Sequence, residues 1–341
     1  MKNKTFIIAE IGVNHNGSIS LAKKIIKKLS KLEIDAVKIQ AYSHKNLASP
    51  ETFLAEYQKK NVKNFKNQYE MLKKYELSKK QIEYLYEFSK NCGIELIASV
   101  FSIKDFEKIE NLPKKIIKIP SGEFTNFELI DYGLKNYQKI ILSTGLSDIS
   151  EIKNTLKKIK RERKDLKGIS ILHCTSSYPC PDEDVDILSL HTMNNTLNVE
   201  IGYSDHTVGS VASIMSVALG AKIIEKHVTL DKTFDGPDHK ASSDIKEFKN
   251  FVDDIRRAEQ MIGVGEKLVQ KSAKKNIEAV KKSIYVNKEI TKGEKFLRNS
   301  LVILRPAKGL DATHINKLIG KKATKNYKPG EVVSKKEILN Y

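Results

Sequence analysis

"IIEKHVTLD" (residues 223–231) decides the fold. Two isoleucines run straight into Glu225, Lys226 and His227, and the chain then turns apolar again. A strand that ends in water more often ends in Gly, Asn or Ser. Charged, metal-capable groups at this position are costly to bury alone, so they imply a polar cavity shared with other strands. Seven further apolar runs end in the same way. They are "TFIIAE" (5–10), "DAVKIQ" (35–40), "IELIAS" (94–99), "KIIKIP" (115–120), "KIILST" (139–144), "ISILHC" (169–174) and "VEIGYS" (199–204).

Between these runs lie amphipathic stretches at 18–31, 79–92, 126–136, 148–163 and 207–219, and a helix is predicted at 244–262. Alternating strand and helix units imply a parallel sheet, and continuous apolar strands imply burial on both faces. Eight units within residues 1–262 predict a (β/α)8 TIM barrel of class α/β. The alternative is a doubly wound sheet, which would want a glycine-rich phosphate turn after the first strand. "GVNHNG" (12–17) lacks the GxGxxG spacing. Residues 41–93 form a long connection, and its polar part "SHKNLASPETFLAEYQKKNVKNF" is expected to be an extended loop over the barrel mouth. A charged linker follows the barrel at 263–282. From Ser283 to Tyr341 the chain becomes β-rich, with turns at Lys-Gly-Glu (292–294) and Lys-Pro-Gly-Glu (328–331). So small a module is expected to lean on the barrel or on a second subunit.

The bulk properties exclude several classes. No apolar run approaches the roughly 18 residues of a membrane span, and the N-terminal run meets a carboxylate too early for a signal peptide. A cytoplasmic protein without membrane association is expected. Cys92, Cys174 and Cys180 have neither the number nor the spacing of a disulfide framework or a zinc site. The net charge of +18 raises nucleic acid as a partner. The lysines, however, are spread over helical faces without aromatic interleaving, so nucleic-acid binding is not expected.

In a (β/α)8 barrel the reactive groups sit at the C-terminal strand ends. Here those ends carry Glu10 with Asn14 and His15; Lys38 and Gln40; Ser99 and Ser102; Lys118, Ser121 and Glu123; Ser143 and Thr144. The last three carry His173, Thr175, Ser176 and Tyr178; Ser204, Asp205 and His206; and Glu225, Lys226 and His227. All three residues of "EKH" are expected to face the shared cavity. Lys38 and Lys118 with serine hydroxyls make a cradle for phosphate or carboxylate. His206 and His227, on neighbouring strands, can share a metal through their imidazoles. Octahedral N/O coordination completed by water or substrate suits Mn²⁺ or Mg²⁺. Glu10, Glu123, Glu225 and Asp238 are carboxylates available for proton transfer or hydroxyl binding.

The motifs "AEIGVNHNG", "VKIQ", "KIPSGE", "ILSTG", "HCTSSYP", "GYSDHT", "IEKHVTLD" and "GPDHKAS" resemble the bacterial sialic acid synthases. These are phosphoenolpyruvate-condensing nonulosonic acid synthases. The tail "VILRPAKGL … IGKKATKNYKPGE" resembles their C-terminal antifreeze-like (SAF) domain. The resemblance covers nearly the whole chain. It implies condensation of phosphoenolpyruvate with an open-chain N-acetylated hexosamine, release of phosphate by C–O cleavage, and a divalent metal, usually manganese, with magnesium or cobalt as substitutes. Carried over by position, His206 and His227 hold the metal. Lys38, Lys118, Ser121, Ser143 and Ser204 hold phosphoenolpyruvate. Glu10, Gln40, Tyr178, Glu225 and Asp238 contact the sugar or intermediate, and Glu123 handles a proton near C2. Arg305 reaches the N-acetyl group from the partner subunit of a domain-swapped homodimer. The chain departs from relatives at Val100, where they often carry Thr, and at Ser176, where some carry Asn.

The resemblance places N-acetylmannosamine first as acceptor, giving N-acetylneuraminate. The 2,4-diacetamido-2,4,6-trideoxymannose of legionaminate synthesis comes second and the pseudaminate branch third. Two alternatives stand beside it: another phosphoenolpyruvate-dependent aldol synthase, and an inactive barrel whose β-rich tail binds polysaccharide.

Overall fold

A computed structural model describes residues 4–62 and 64–338. Eight parallel strands close into a barrel in sequence order. They are β1 (Phe6–Gly12), β2 (Ala36–Ala41), β3 (Glu95–Val100), β4 (Ile116–Ile119), β5 (Lys139–Ser143), β6 (Ile169–His173), β7 (Glu200–Asp205) and β8 (Ile223–His227). β8 returns to β1 with Phe6 opposite Ile223 and Glu10 opposite His227, which sets two ends of the predicted site side by side.

The helical connections start where the sequence supplies caps. Ser18 caps Ile19–Leu29, and Asp148 caps Ile149–Arg163. Ser78 with Gln81 and Asp244 with Glu247 form capping boxes on Lys79–Asn91 and Ile245–Met261. The β3–β4 connection carries a 3₁₀ stretch, Ile103–Ile109, in place of an α-helix. The main core lies between the strands' outer faces and these helices, and includes Ile7, Val37, Ile117, Leu142, Phe248 and Ile255. Inside the barrel, Ile8, Ala36, Ile97, Ile141, Leu172 and Ile223 pack as an apolar plug. Two residues further along β1, β2, β3, β4, β5 and β8 the inward positions turn polar, at Glu10, Lys38, Ser99, Lys118, Ser143 and Glu225. Side chains in a strand alternate faces with period 2, so the plug forms the floor on which the site stands.

The connection after β2 differs from the expected extended loop. It folds into three short helices, His44–Leu47, Glu56–Asn61 and Gln68–Tyr75. Tyr42, Leu54, Val62, Met71, Leu72 and Tyr75 join Val13 in a small core of their own. Glu76 anchors this insertion by accepting hydrogen bonds from the His44 amide (2.9 Å) and the Lys108 ammonium (2.6 Å). The apolar residues are thinly spread among lysines, so no single stretch displays a helical period.

The chain divides into two compact units, with the boundary after Gly263. The second includes most of the predicted linker 263–282, where short helices Lys271–Lys274 and Ile277–Val280 form. β9 (Ser283–Val286) pairs antiparallel with β10 (Leu301–Leu304) over a core of Ile284, Val286, Phe296, Leu310, Leu318, Tyr327 and Val333. Gly293 and Gly330 adopt φ of 89° and 88° at the two predicted turns, the left-handed region that glycine enters without cost. Inside this unit the buried Glu337 carboxylate accepts from the Thr324 hydroxyl (2.7 Å) and the Tyr327 hydroxyl (2.6 Å).

Candidate active site

The polar strand ends surround a cavity of about 260 Å³ at the C-terminal mouth of the barrel. On the floor four charged side chains interlock. Lys38 Nζ lies 2.8 Å from Glu10 and 3.6 Å from Glu225, and donates to the Ser99 hydroxyl at 2.9 Å. Lys118 Nζ donates to both Glu225 oxygens at 2.9 Å. The Ser204 hydroxyl donates to Glu225 at 3.0 Å. All are almost fully buried. Burial alone would raise the Glu225 pKa, but Lys118 and Lys38 outweigh it and hold Glu225 well below the carboxylate range. For Glu10 burial wins over Lys38, and the pKa is raised. Lys38 keeps its charge because Glu10 and Glu225 overcome burial, whereas burial pulls Lys118 below the ordinary lysine value.

His206 and His227 stand above this floor with ring centroids 5.7 Å apart. Tyr178 stacks on His206 at 4.2 Å and meets His227 edge-on at 5.5 Å. His206 Nδ1 donates to the Thr175 carbonyl at 2.6 Å, which leaves Nε2 as the lone-pair nitrogen. His227 Nδ1 is buried without a hydrogen-bond partner. Burial lowers the His206 pKa to about 4 and holds His227 well below its ordinary value, with His206 adding to the effect. Both imidazoles are therefore neutral at pH 7, the form that binds metals. Among the described residues no group of three or more His, Cys, Asp and Glu comes together as a closed site. The donor set thus fits a cation whose remaining positions go to water or substrate.

Close packing sets these groups. Gly12 takes φ 55° where the β1–β2 register shifts, and an added Cβ there would sit 3.2 Å from Glu10 Oε1 and 3.5 Å from His227. At Gly145 an added Cβ would fall 2.4 Å from the Ser176 hydroxyl, and the Gly145 amide donates to Ser121 at 2.9 Å. Asp238 enters from the loop after β8. Its carbonyl accepts from Ser242, which in turn accepts from Asn14. Burial, reinforced by Glu10, pushes Asp238 up to about 7.

Most predicted residues meet here: Glu10, Lys38, Gln40, Lys118, Ser121, Ser143, Ser176, Tyr178, Ser204, His206, Glu225, His227 and Asp238 all line the cavity. Glu123 does not. The chain turns after Pro120, and Glu123 accepts from the Asn126 amide at 2.8 Å, away from the lining. Arg305 is an exposed residue of the second unit. Lys226 corrects the reading of "EKH": Glu225 and His227 face inward, while Lys226 points to the helix layer and pairs with Asp205 at 3.0 Å. His173 likewise turns outward, with Nε2 donating to the Val185 carbonyl. Val100 packs in the outer core, so a hydroxyl there would not reach the cavity. Cys174 and the insertion residues Leu47, Tyr57, Gln58, Gln68, Met71, Leu72 and Tyr75 also line the cavity and were not foreseen. Cys174 was legible in principle from the alternation along β6.

A lysine-cradled, carboxylate-lined cavity at the C-terminal face of a (β/α)8 barrel is an enzyme-type site for a small anion. The NeuB family matches residues 25–267 and the SAF domain matches residues 281–339; the chain belongs to the NeuB family. It is 41% identical to the N,N'-diacetyllegionaminic acid synthase of Campylobacter jejuni, over 97% of this chain and 99% of that one. The enzyme of the same name from Legionella pneumophila is 36% identical over 95% and 92%. The crystal structure of an N-acetylneuraminic acid synthetase from Leptospira borgpetersenii, in complex with citrate, matches with a TM-score of 0.69. It is 31% identical and covers 81% of this chain and 91% of that one.

Proposed function

We propose that this protein condenses phosphoenolpyruvate with 2,4-diacetamido-2,4,6-trideoxymannose, giving N,N'-diacetyllegionaminate and phosphate. The observation that carries the reaction is the buried Glu10–Lys38–Glu225–Lys118 cluster beneath two neutral imidazoles. The legionaminic acid synthases at 41% and 36% identity move this acceptor ahead of N-acetylmannosamine, which the motifs alone had placed first. N-Acetylmannosamine remains the second reading, favoured by the likeness to the Leptospira enzyme.

Lys38 and Lys118, with the hydroxyls of Ser121, Ser143 and Ser204, hold the carboxylate and phosphate of phosphoenolpyruvate. The Ser143 hydroxyl is buried without a partner and is free to bond the ligand. His206 and His227 are the residues that would hold a divalent cation, with Mn²⁺ first. When bound there it supplies Lewis-acid polarisation of the sugar aldehyde. The cradle presents C3 of the enol to that aldehyde carbon, and the C–C bond forms. Asp238, with its pKa near 7, and Glu10, with its raised pKa, are able to deliver a proton where the aldehyde oxygen gains charge. Water adds to C2 and gives up a proton, which restores the carboxyl that protonated the aldehyde oxygen. The tetrahedral carbon then breaks its bond to the phosphate oxygen as its new hydroxyl becomes the 2-keto group and passes its proton to the leaving phosphate. The lysines neutralise the phosphate as it leaves.

The test is phosphate release from phosphoenolpyruvate with Mn²⁺, with and without EDTA, using both sugars. EDTA-sensitive release that is faster with the diacetamido sugar supports the proposal. Faster release with N-acetylmannosamine transfers it to the second reading, and no release with either sugar refutes it.

A further inference from the structure

The cavity has two walls of opposite chemistry. The barrel side is ionic and hydroxylic. The side supplied by the insertion after β2 presents Leu47, Met71 and Leu72. Its polar groups are mostly spent on one another. Gln58 Oε1 accepts from the Ala55 amide (2.9 Å) and from Gln68 Nε2 (3.3 Å), and Gln58 Nε2 donates to the Tyr57 hydroxyl (3.2 Å). The Leu72 carbonyl accepts from the Tyr42 hydroxyl at 3.0 Å. The Tyr75 hydroxyl differs: it is buried at the cavity with no partner. The insertion is also tied down by Glu76 to Lys108 and by Asp105 to the Ser43 amide (2.9 Å), so the wall is preformed.

Phosphoenolpyruvate carries no saturated methyl group, and its charges belong on the lysine side. The apolar wall therefore suits the other substrate. A sugar hydroxyl pressed against Leu47, Met71 and Leu72 would lose its water and gain no hydrogen bond, whereas a methyl group loses nothing there. We propose that the insertion selects the acceptor sugar: Leu47, Met71 and Leu72 seat its methyl groups, and the Tyr75 hydroxyl bonds an amide oxygen. The wall thereby favours a sugar deoxygenated at C6 and twice N-acetylated over one with free hydroxyls. This rests on the proposed reaction for the identity of the two sugars. The selectivity lies in side chains that carry no ionisable group of the lysine–carboxylate floor, so it acts on binding.

The test compares wild type, Met71→Gln, Met71→Leu and Tyr75→Phe as full chains. Steady-state kinetics with each sugar gives the ratio of kcat/KM values, and calorimetric titration with each sugar gives the same ratio without turnover. Met71→Gln is expected to lower the preference for the diacetamido-trideoxy sugar by about tenfold or more, through KM. Met71→Leu keeps the ratio within about threefold. Tyr75→Phe raises the KM of that sugar about tenfold and leaves the KM of phosphoenolpyruvate unmoved. A thermal melt verifies folding, and Leu47→Asn carries the same prediction if Met71→Gln does not fold. An unchanged ratio in the folded polar variant overturns the proposal, as does failure of wild type to bind either sugar. Sugar binding that keeps this pattern without phosphate release upholds the wall and refutes the reaction.

Discussion

Two buried lysine–carboxylate clusters stand on opposite faces of the barrel wall, with β8 contributing to both. The outward one joins Lys226 to Asp205, and every strong acceptor in it is used. Asp205 takes the Thr207 amide (2.8 Å), the Thr207 hydroxyl (2.7 Å) and the Ser213 hydroxyl (2.6 Å), while Lys226 also donates to the Thr207 carbonyl (2.8 Å). The inward one joins Glu10, Lys38, Glu225 and Lys118 and leaves capacity beside it, in the Ser143 hydroxyl and His227 Nδ1. Burial and charge are alike in the two. Saturation separates them: a closed network holds loops, and an open one waits for a ligand.

That contrast can be broken in several places. On the inward side, His227→Ala should cut metal-dependent phosphate release by at least about a thousandfold, a loss of roughly 4 kcal/mol in transition-state stabilisation. Its circular dichroism should stay native, because the buried Nδ1 of His227 makes no hydrogen bond that the change would break. On the outward side, Asp205→Ala strands a buried ammonium and should cost about 3–5 kcal/mol in denaturant unfolding. The folded fraction should keep a near-native KM for phosphoenolpyruvate.

Asp238 makes the inward side sensitive to pH. Its pKa of about 7 in the folded chain lies above the ordinary aspartate value of 3.8, so the folded state holds this proton more tightly than the unfolded state. Stability from this group is therefore lost as pH rises from about 4 to 7 and is flat above. The ceiling is about three pH units, roughly 4 kcal/mol. Asp238→Asn removes the titration, so its stability gain over wild type should grow across that window; denaturant midpoints at pH 5 and pH 8 measure it. A gain equal at both pH values contradicts the assignment. The smallest effect concerns the second unit. Arg305→Ala should raise the sugar KM about tenfold, worth roughly 1.4 kcal/mol, with the phosphoenolpyruvate KM unmoved. An unchanged sugar KM overturns the role that the resemblance implies for Arg305.

Much of this was legible in the sequence because barrel strands are short apolar runs whose ends break the pattern in the same way. Lys38, Lys118, Glu225, His206 and His227 stood out on that ground. Which face each residue takes was less legible at the ends, where Lys226, Asp205 and His173 look as functional as their neighbours. Counting by two from the plug residue Ile223 sorts β8: Glu225 and His227 fall inward and Lys226 outward. Glu123 lies outside the cavity lining because the alternation stops at Pro120, where a 3₁₀ turn takes over. The insertion was opaque for a different reason. Its helices of four to eight residues are too short to display a period, and they are fixed by contacts distant in sequence, such as Glu76 with Lys108.

The most direct measurement pairs Lys118→Met with Lys226→Met, each assayed for phosphate release and for unfolding free energy. Lys118→Met should be folded and inactive, since Glu225 retains Lys38 and Ser204 as partners. Lys226→Met should be destabilised while its folded fraction turns over. An active Lys118→Met protein, or a stable and inactive Lys226→Met protein, would contradict the division between the two clusters.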